Sequence, residues 1–349
     1  MKTALTKIKV GVAADSGTGG LSRSRFAWSL RVVLALFFFS LIFLFVDVGE
    51  LTALLLRLDL GSISVLALLT VVMIWVSCLK WQVFLRAFGH EVPVLRLMRL
   101  YTVGYFFNTF FPSFVGGDVA RSYHLGSGLG SQKDAAVSTF LERFTGLLAM
   151  SMLSLVFVLF GSAETKGVEL AVWLVAAASG LLAAICFIRS FRQWVNYMLE
   201  RIFAASPLNR FVRIPLGFLV KLDSMLGEGR VLRSVFPQAM FLSLLFHFLT
   251  VVNTFAAAWA IGWAEPSLSG LFVVVPLILI VTMVPITPGG LGVQEGAFLF
   301  FLKRCGATET QGLGVGLVLR AKVVCVAMVG GLLWLGLQKQ VRHEVCPDS

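Results

Sequence analysis

Residues Val284–Phe301 read VPITPGGLGVQEGAFLFF. Two prolines, four glycines and one carboxylate stand here inside a long apolar region. Glycine and proline both weaken a helix. In lipid, each backbone N–H or C=O released from the helical ladder is costly unless protein, water or a guest meets it. The stretch therefore predicts a broken helix that lines a cavity or packs in protein, not one that faces lipid.

The surroundings define the solvent. Of 349 residues, 58% are hydrophobic and 13% charged, with a mean hydropathy of +0.90. A soluble domain carries roughly 25% charge, so this composition identifies an integral membrane protein. Six apolar runs, Val32–Val46, Gly61–Leu79, Phe144–Ala163, Leu170–Ile188, Ser234–Ala264 and Gly312–Leu337, approach or exceed the length of about 20 residues that a helix needs to cross the hydrocarbon core. The expected fold is all-α, a polytopic transmembrane bundle of about six full spans.

Lys and Arg between the runs give an orientation. The tail 1–25 carries Lys2, Lys7, Lys9, Arg23 and Arg25 in a Ser/Gly-rich setting and is expected to be flexible and cytoplasmic. The run after it is followed by Asp47, Gly49 and Glu50, not by a small-x-small cleavage site, so it reads as an uncleaved anchor. A single transmembrane domain then fills 26–340. Within it, 189–233 combines basic residues with Trp194, Tyr197, Phe203 and Phe211, the pattern of an amphipathic segment on the cytoplasmic face. A short tail, 341–349, ends inside. Both termini are expected in the cytoplasm of a bacterial cell, with the chain in its inner membrane.

Several function classes drop out. The net charge of +11 sits on membrane-flanking segments and not on a soluble module, which argues against nucleic acid. Cysteines and histidines lack ligand spacing, so no metal or other cofactor is expected. His247, on an apolar helix, reads as a hydrogen-bonded packing residue. Neither GGLGVQEG nor GSGLG matches a phosphate loop, and no Ser, Cys or His nucleophile signature is present. No catalytic residue is assigned.

Two segments are not simple spans. YTVGYFFNTFFPSFVGGDVA, between Arg99 and Arg121, is interrupted at Pro112, Gly116 and Gly117 directly before Asp118. Cytoplasmic charge flanks both sides, so it is expected to enter the membrane and turn back. Leu268–Phe301 is its counterpart from the outside, broken at Pro285, Pro288, Gly289 and Gly290. Both show proline, paired glycine, a carboxylate and a later arginine. Asp118 to Arg143 and Glu295 to Arg320 are each 25 residues apart. Two re-entrant hairpins entering from opposite sides form the plan of an inverted-repeat transporter.

Charge pairing follows from cost. Arg320 and Lys322 lie inside an apolar run, where a basic residue costs about 2.5–3.5 kcal/mol. Glu295 is the expected partner of Arg320, while Lys322, about 200° around the helix, is expected to face elsewhere or snorkel. Glu142–Arg143, at the mouth of the Phe144–Ala163 span, is expected to meet Asp118 and Arg121. Helix starts after Gly117 and Gly290 would aim amides and positive dipole ends into the cavity, which suits a phosphate or carboxylate.

NTFFPSFVGGDVAR (Asn108–Arg121), STFLERFTG (Ser138–Gly146), VPITPGGLGVQEG (Val284–Gly296), Arg320 and the pair Lys80–Trp81 together resemble the lysylphosphatidylglycerol synthase transmembrane region, also described as a flippase-like domain of the UPF0104 type. The resemblance covers about 30–340. It implies a membrane domain that in some members moves a charged or glycosylated lipid between leaflets, without the soluble aminoacyltransferase module of the two-part synthases, since the chain ends at Ser349.

The candidate substrate-binding residues are Asn108, Pro112, Gly116, Gly117, Asp118, Arg121, Glu142 and Arg143 at the first break, and Pro288, Gly289, Gly290, Glu295 and Arg320 at the second. The expected partners are membrane lipids with polar or anionic head groups. Two other functions fit the same residues. One is a membrane-embedded transferase acting on a polyprenyl-phosphate or phospholipid substrate, with Asp118 or Glu295 as general base. The other is an accessory subunit that works beside a lipid-modifying enzyme.

Overall fold

The computed structural model describes residues 48–110, 116–160, 167–203, 230–284 and 286–345. Among these residues all regular structure is helical. The helices are α1 (Val48–Leu55), α2 (Leu60–Ala87), α3 (Val94–Phe110), α4 (Gly116–Leu129), α5 (Gln132–Leu159), α6 (Glu169–Phe187), α7 (Arg189–Phe203), α8 (Arg230–Ala260), α9 (Leu268–Met283), α10 (Val293–Lys303) and α11 (Glu309–Val345). A 3-10 turn, Pro288–Gly290, stands between α9 and α10.

Four helices, α2, α5, α8 and α11, hold apolar stretches long enough to cross a bilayer. They account for four of the six expected spans. Leu170–Ile188 corresponds to α6, 19 residues that are apolar after Glu169 except for Ser179 and end at Phe187. Val32–Val46 lies outside the described residues, as do the tail 1–25, Pro112, Pro285 and most of 204–233. Asp59 starts α2 by accepting from the amides of Gly61 and Ser62, and the Ser62 hydroxyl and amide help to hold its carboxyl below the usual value. The start of the 189–233 segment is α7, whose Trp194 and Tyr197 are exposed.

One span differs from expectation. The helix of Phe144–Ala163 begins at Gln132, capped by the Ser131 hydroxyl on the Asp134 amide. Glu142 and Arg143 therefore lie inside a longer helix, three turns from its start. Apolar-run counting stops at charges, but these charges are paired across helices, so the polar half continues the same helix.

Both expected breaks are present. The first hairpin is α3 and α4, longer at each end than the aromatic run suggested. Its arms touch at two glycines: a Cβ on Gly117 would stand 2.1 Å from the carbonyl of Gly104, so no side chain fits there. The second hairpin is α9, the 3-10 turn and α10. Gly289, Gly290 and Gly292 take positive φ in this turn, a region open to glycine.

The two hairpins meet. The 3-10 turn packs on the end of α3, where a Cβ on Gly289 would stand 2.8 Å from the Thr109 carbonyl. α11 then crosses α3 at Gly330, where a Cβ would stand 2.1 Å from the Thr102 carbonyl, and Trp334 packs against Phe106 and Phe107. One core, with Ile261, Phe272, Phe298 and Leu302, joins α8 to α11. A second, with Trp81, Leu97, Leu125 and Ala135, joins α2 to α5.

Candidate functional site

The first break is held from within. Asn108, near the end of α3, accepts from the Gly117 amide at 2.8 Å, so one amide of this helix start is met by a side chain of the facing arm. Asp118 stands in the first turn of α4, where the helix dipole favours a negative charge. Arg143 on α5 grips this carboxylate in bidentate fashion, with Nε and Nη2 each 2.9 Å from an oxygen. Arg121, one turn along α4, adds its Nε at 3.0 Å.

The cluster continues inward. Arg121 Nη2 donates to Glu142 at 2.5 Å, and Lys80 Nζ lies 3.2 Å from the other oxygen of Glu142. Tyr101 donates its hydroxyl to the same carboxylate at 3.4 Å. The Arg121 guanidinium lies between the rings of Trp81 and Tyr101, 4.6 and 4.4 Å from their centroids. Its Nη1 has no hydrogen-bond acceptor. Trp81 is fixed by its indole N–H on Ser138. Lys80, Arg121 and Glu142 are buried, whereas Arg143 is 43% exposed. Three cations thus face two carboxylates, and the side that opens outward is cationic.

The second break has its own pair. Arg320 Nε donates to Glu295 at 2.7 Å, and its Nη1 and Nη2 donate to the carbonyls of Gly289 and Gly290 at 2.5 and 2.9 Å. Glu295, wholly buried, stands in the first turn of α10 and accepts from the Gly292 amide at 2.8 Å. The Gly292 amide and the carbonyls of Gly289 and Gly290 are thereby met by protein side chains. The cluster is neutral, one cation against one anion.

Of the candidate residues, the structure brings Asn108, Gly117, Asp118, Arg121, Glu142 and Arg143 together around the first break. Gly116 begins α4 beside them. Gly289, Gly290, Glu295 and Arg320 gather around the second, with Pro288 opening the turn. Lys322 does not snorkel; it donates to Asn253 on α8 at 2.6 Å. His247 is buried on α8 with its ring against the Gly146 backbone and the Phe246 ring, a packing position as expected, although neither ring nitrogen meets full hydrogen-bond geometry. Lys80, Tyr101 and Asn253 are further polar contributors. Lys80 was signalled only through the Lys-Trp pair, and Asn253 only as a lone amide on an apolar helix.

A shallow apolar depression of about 400 Å³, open to the exterior, lies along α5 and α8 at Met152, Leu153, Val156, Phe241 and Phe248, of which Met152, Phe241 and Phe248 are exposed. Its lining is apolar and it lies apart from both breaks.

The family described as lysylphosphatidylglycerol synthase TM region matches residues 27–331. A UPF0104 membrane protein of Methanothermobacter thermautotrophicus is 23% identical over 305 residues, spanning 81% of this chain and 87% of that relative. No solved structure matches.

Proposed function

The chain belongs to the lysylphosphatidylglycerol synthase transmembrane-region family, and on that premise we propose that it moves a lipid, a phospholipid or lipid-linked sugar, between the two leaflets. The observation that carries this reading is the charge cluster of the first break. Three cations and two carboxylates share an interior where an uncompensated charge is costly. One further negative charge balances them, and a phosphate bearing one charge supplies it. Arg143 is the group open to the exterior and Asp118 beside it is partly so, which makes them the point of entry for a head group. The shallow apolar groove along α5 and α8 suits an acyl chain that stays in the lipid. In this reading the second cluster holds the shape of the turn that faces the first. The membrane is the bacterial inner membrane, with both termini in the cytoplasm, as the charge count of the loops supports.

The test is leaflet exchange of a fluorescent anionic phospholipid in vesicles holding the purified chain. Arg143→Gln removes one charge-assisted contact, worth about 1.5–3 kcal/mol, and is expected to slow exchange about tenfold or more without unfolding the protein. Exchange that is equal in the variant and the parent chain sinks the assignment. Covalent change of the labelled lipid on incubation favours a transferase instead.

A further inference from the structure

Lys322 lies within α11, a helix able to cross the bilayer, and its partner is neutral. Its Nζ donates to the Asn253 side chain of α8 at 2.6 Å, and no carboxylate among the described residues pairs with it. An ammonium has three donors, and a charge inside the membrane is costly unless compensated. A bridge between two helices needs no charge, since a neutral amide in place of the lysine could also donate to Asn253. The charge itself calls for an anion.

This cation stands toward the opposite face of the bundle from Arg143. α8 ends where α11 begins, because a Cβ on Gly314 would stand 3.3 Å from Ile261 Cδ1. α5 ends on that side too, with Ser154 donating to the Val273 carbonyl near the start of α9. Asn253 is seven residues before Ala260, about 10 Å from this side at the helical rise. Arg143 is eleven residues after Gln132, about 16 Å from the other side.

Buried polar residues run between the two. Along α8, Asn253, Thr250, His247 and Ser243 recur at steps of three and four, which places them on one face of the helix, and all are buried. His247 and Lys80 of the first cluster face the same point of α5, at Gly146. On α11, Val326, one turn from Lys322, packs on the core of Trp81 and Tyr101, whose rings enclose Arg121. Polar positions inside membrane helices face the bundle interior and mark substrate paths.

The charge count is the same at both ends. The first cluster sets three cations against two carboxylates, and the second break with Lys322 sets two, Arg320 and Lys322, against Glu295. Each end lacks one negative charge. We infer that Lys322 and Asn253 form a second anion station, which receives the singly charged phosphodiester of a lipid head group after it leaves Arg143. The inference rests on the lipid-exchange reading for its place in transport, though not for the binding itself. Lys322 supplies charge-assisted donors and Asn253 an amide N–H, a chemistry that fits a lipid phosphodiester and a free phosphate alike. A head group passing from one station to the other meets one excess cation at each, so neither end holds it too tightly for release.

The test uses phosphatidylglycerol with a photoreactive diazirine on its head group, mixed into phosphatidylcholine vesicles that hold the full chain. After illumination the labelled residues are mapped by mass spectrometry. In the parent, labels are expected around Asn253 and Lys322 as well as around Arg143. Lys322→Gln keeps a donor for Asn253 without the charge. It should lower labelling around Asn253 and slow leaflet exchange, each about tenfold, while the label around Arg143 is unchanged. Lys322→Arg keeps the charge and should keep the label.

If Lys322→Gln labels and exchanges lipid like the parent, the lysine only bridges two helices and the proposal is overturned. A parent chain without label around Asn253 overturns it as well. Loss of that label on addition of inorganic phosphate at the same concentration assigns the station to a free anion and overturns its lipid form. Label that depends on the Lys322 charge in a chain that exchanges no lipid sinks the transport reading and leaves the station standing. Exchange with no label around Asn253 does the reverse. Should Lys322→Gln not fold, the parent and Lys322→Arg decide, since both must carry the label.

Discussion

Arg320 and Glu295, joined at 2.7 Å, form more than an ion pair, because the same guanidinium holds the carbonyls of Gly289 and Gly290 and the same carboxylate holds the Gly292 amide. Two side chains from separate helices thus meet the backbone groups that a glycine-rich break releases. Removing either strands the other in the interior. Arg320→Ala is expected to lower stability by about 3–5 kcal/mol, since it leaves a buried carboxylate unpaired along with two carbonyls. Arg320→Lys keeps the charge but not the planar fork and should recover only part of the loss. Thermal unfolding in detergent, followed by size exclusion, reads both; a stable Arg320→Ala protein would contradict this role.

Glu142 is the shared partner of Lys80 and Arg121, and both cations are buried. Glu142→Gln leaves buried Lys80 without its carboxylate and Arg121 with Asp118 alone, and an unfolding loss of about 3–5 kcal/mol is expected. Adding Lys80→Met removes one of them, so the double variant should be more stable than Glu142→Gln alone. Additive losses in this cycle would show that the two residues do not interact.

Gly330 allows α11 to lie against the α3 backbone, with the Thr102 carbonyl where a Cβ would go. Gly330→Ala must force the helices apart, a change of the overpacking kind that costs about 1–3 kcal/mol. Gly296→Ala is the control, because nothing lies within 4 Å of its Cβ position and alanine favours the helix. The melting temperature should fall in the first and hold or rise in the second.

Lys322 and Asn253 give an asymmetric pair. Lys322→Met removes a half-buried charge whose partner is neutral, and stability should change little. Asn253→Leu takes away the acceptor and leaves the ammonium unmatched, with an expected loss of about 1–3 kcal/mol. Equal losses in the two variants would show that the amide does not serve the lysine.

Much of this arrangement was legible before any coordinates. A proline, paired glycines and a carboxylate inside apolar sequence identify a break because no lipid-facing helix tolerates them. The equal spacing of Asp118–Arg143 and Glu295–Arg320 corresponds to two formed ion pairs. What stayed hidden depends on distant chain segments. Lys80 meets Glu142 only because α2 packs on α5, and no local pattern signals that contact. The polar first turns of α5, before the apolar run at Phe144, were likewise invisible to hydrophobicity, since their charges are met by α2 and α4. Closure of the breaks by Asn108, Glu295 and Arg320 was likewise out of reach, because hydrophobicity reports where a backbone group is freed but not what receives it.

The contact of Gly330 with Thr102 has a mechanical consequence. Two backbones that touch without intervening side chains cannot slide past each other without tearing the packing around Trp334. Any rocking of the first hairpin therefore carries α11 with it as a single lever. The give must come from the ends of that lever, where Gly89, between α2 and α3, and Gly130, between α4 and α5, already sit in left-handed geometry.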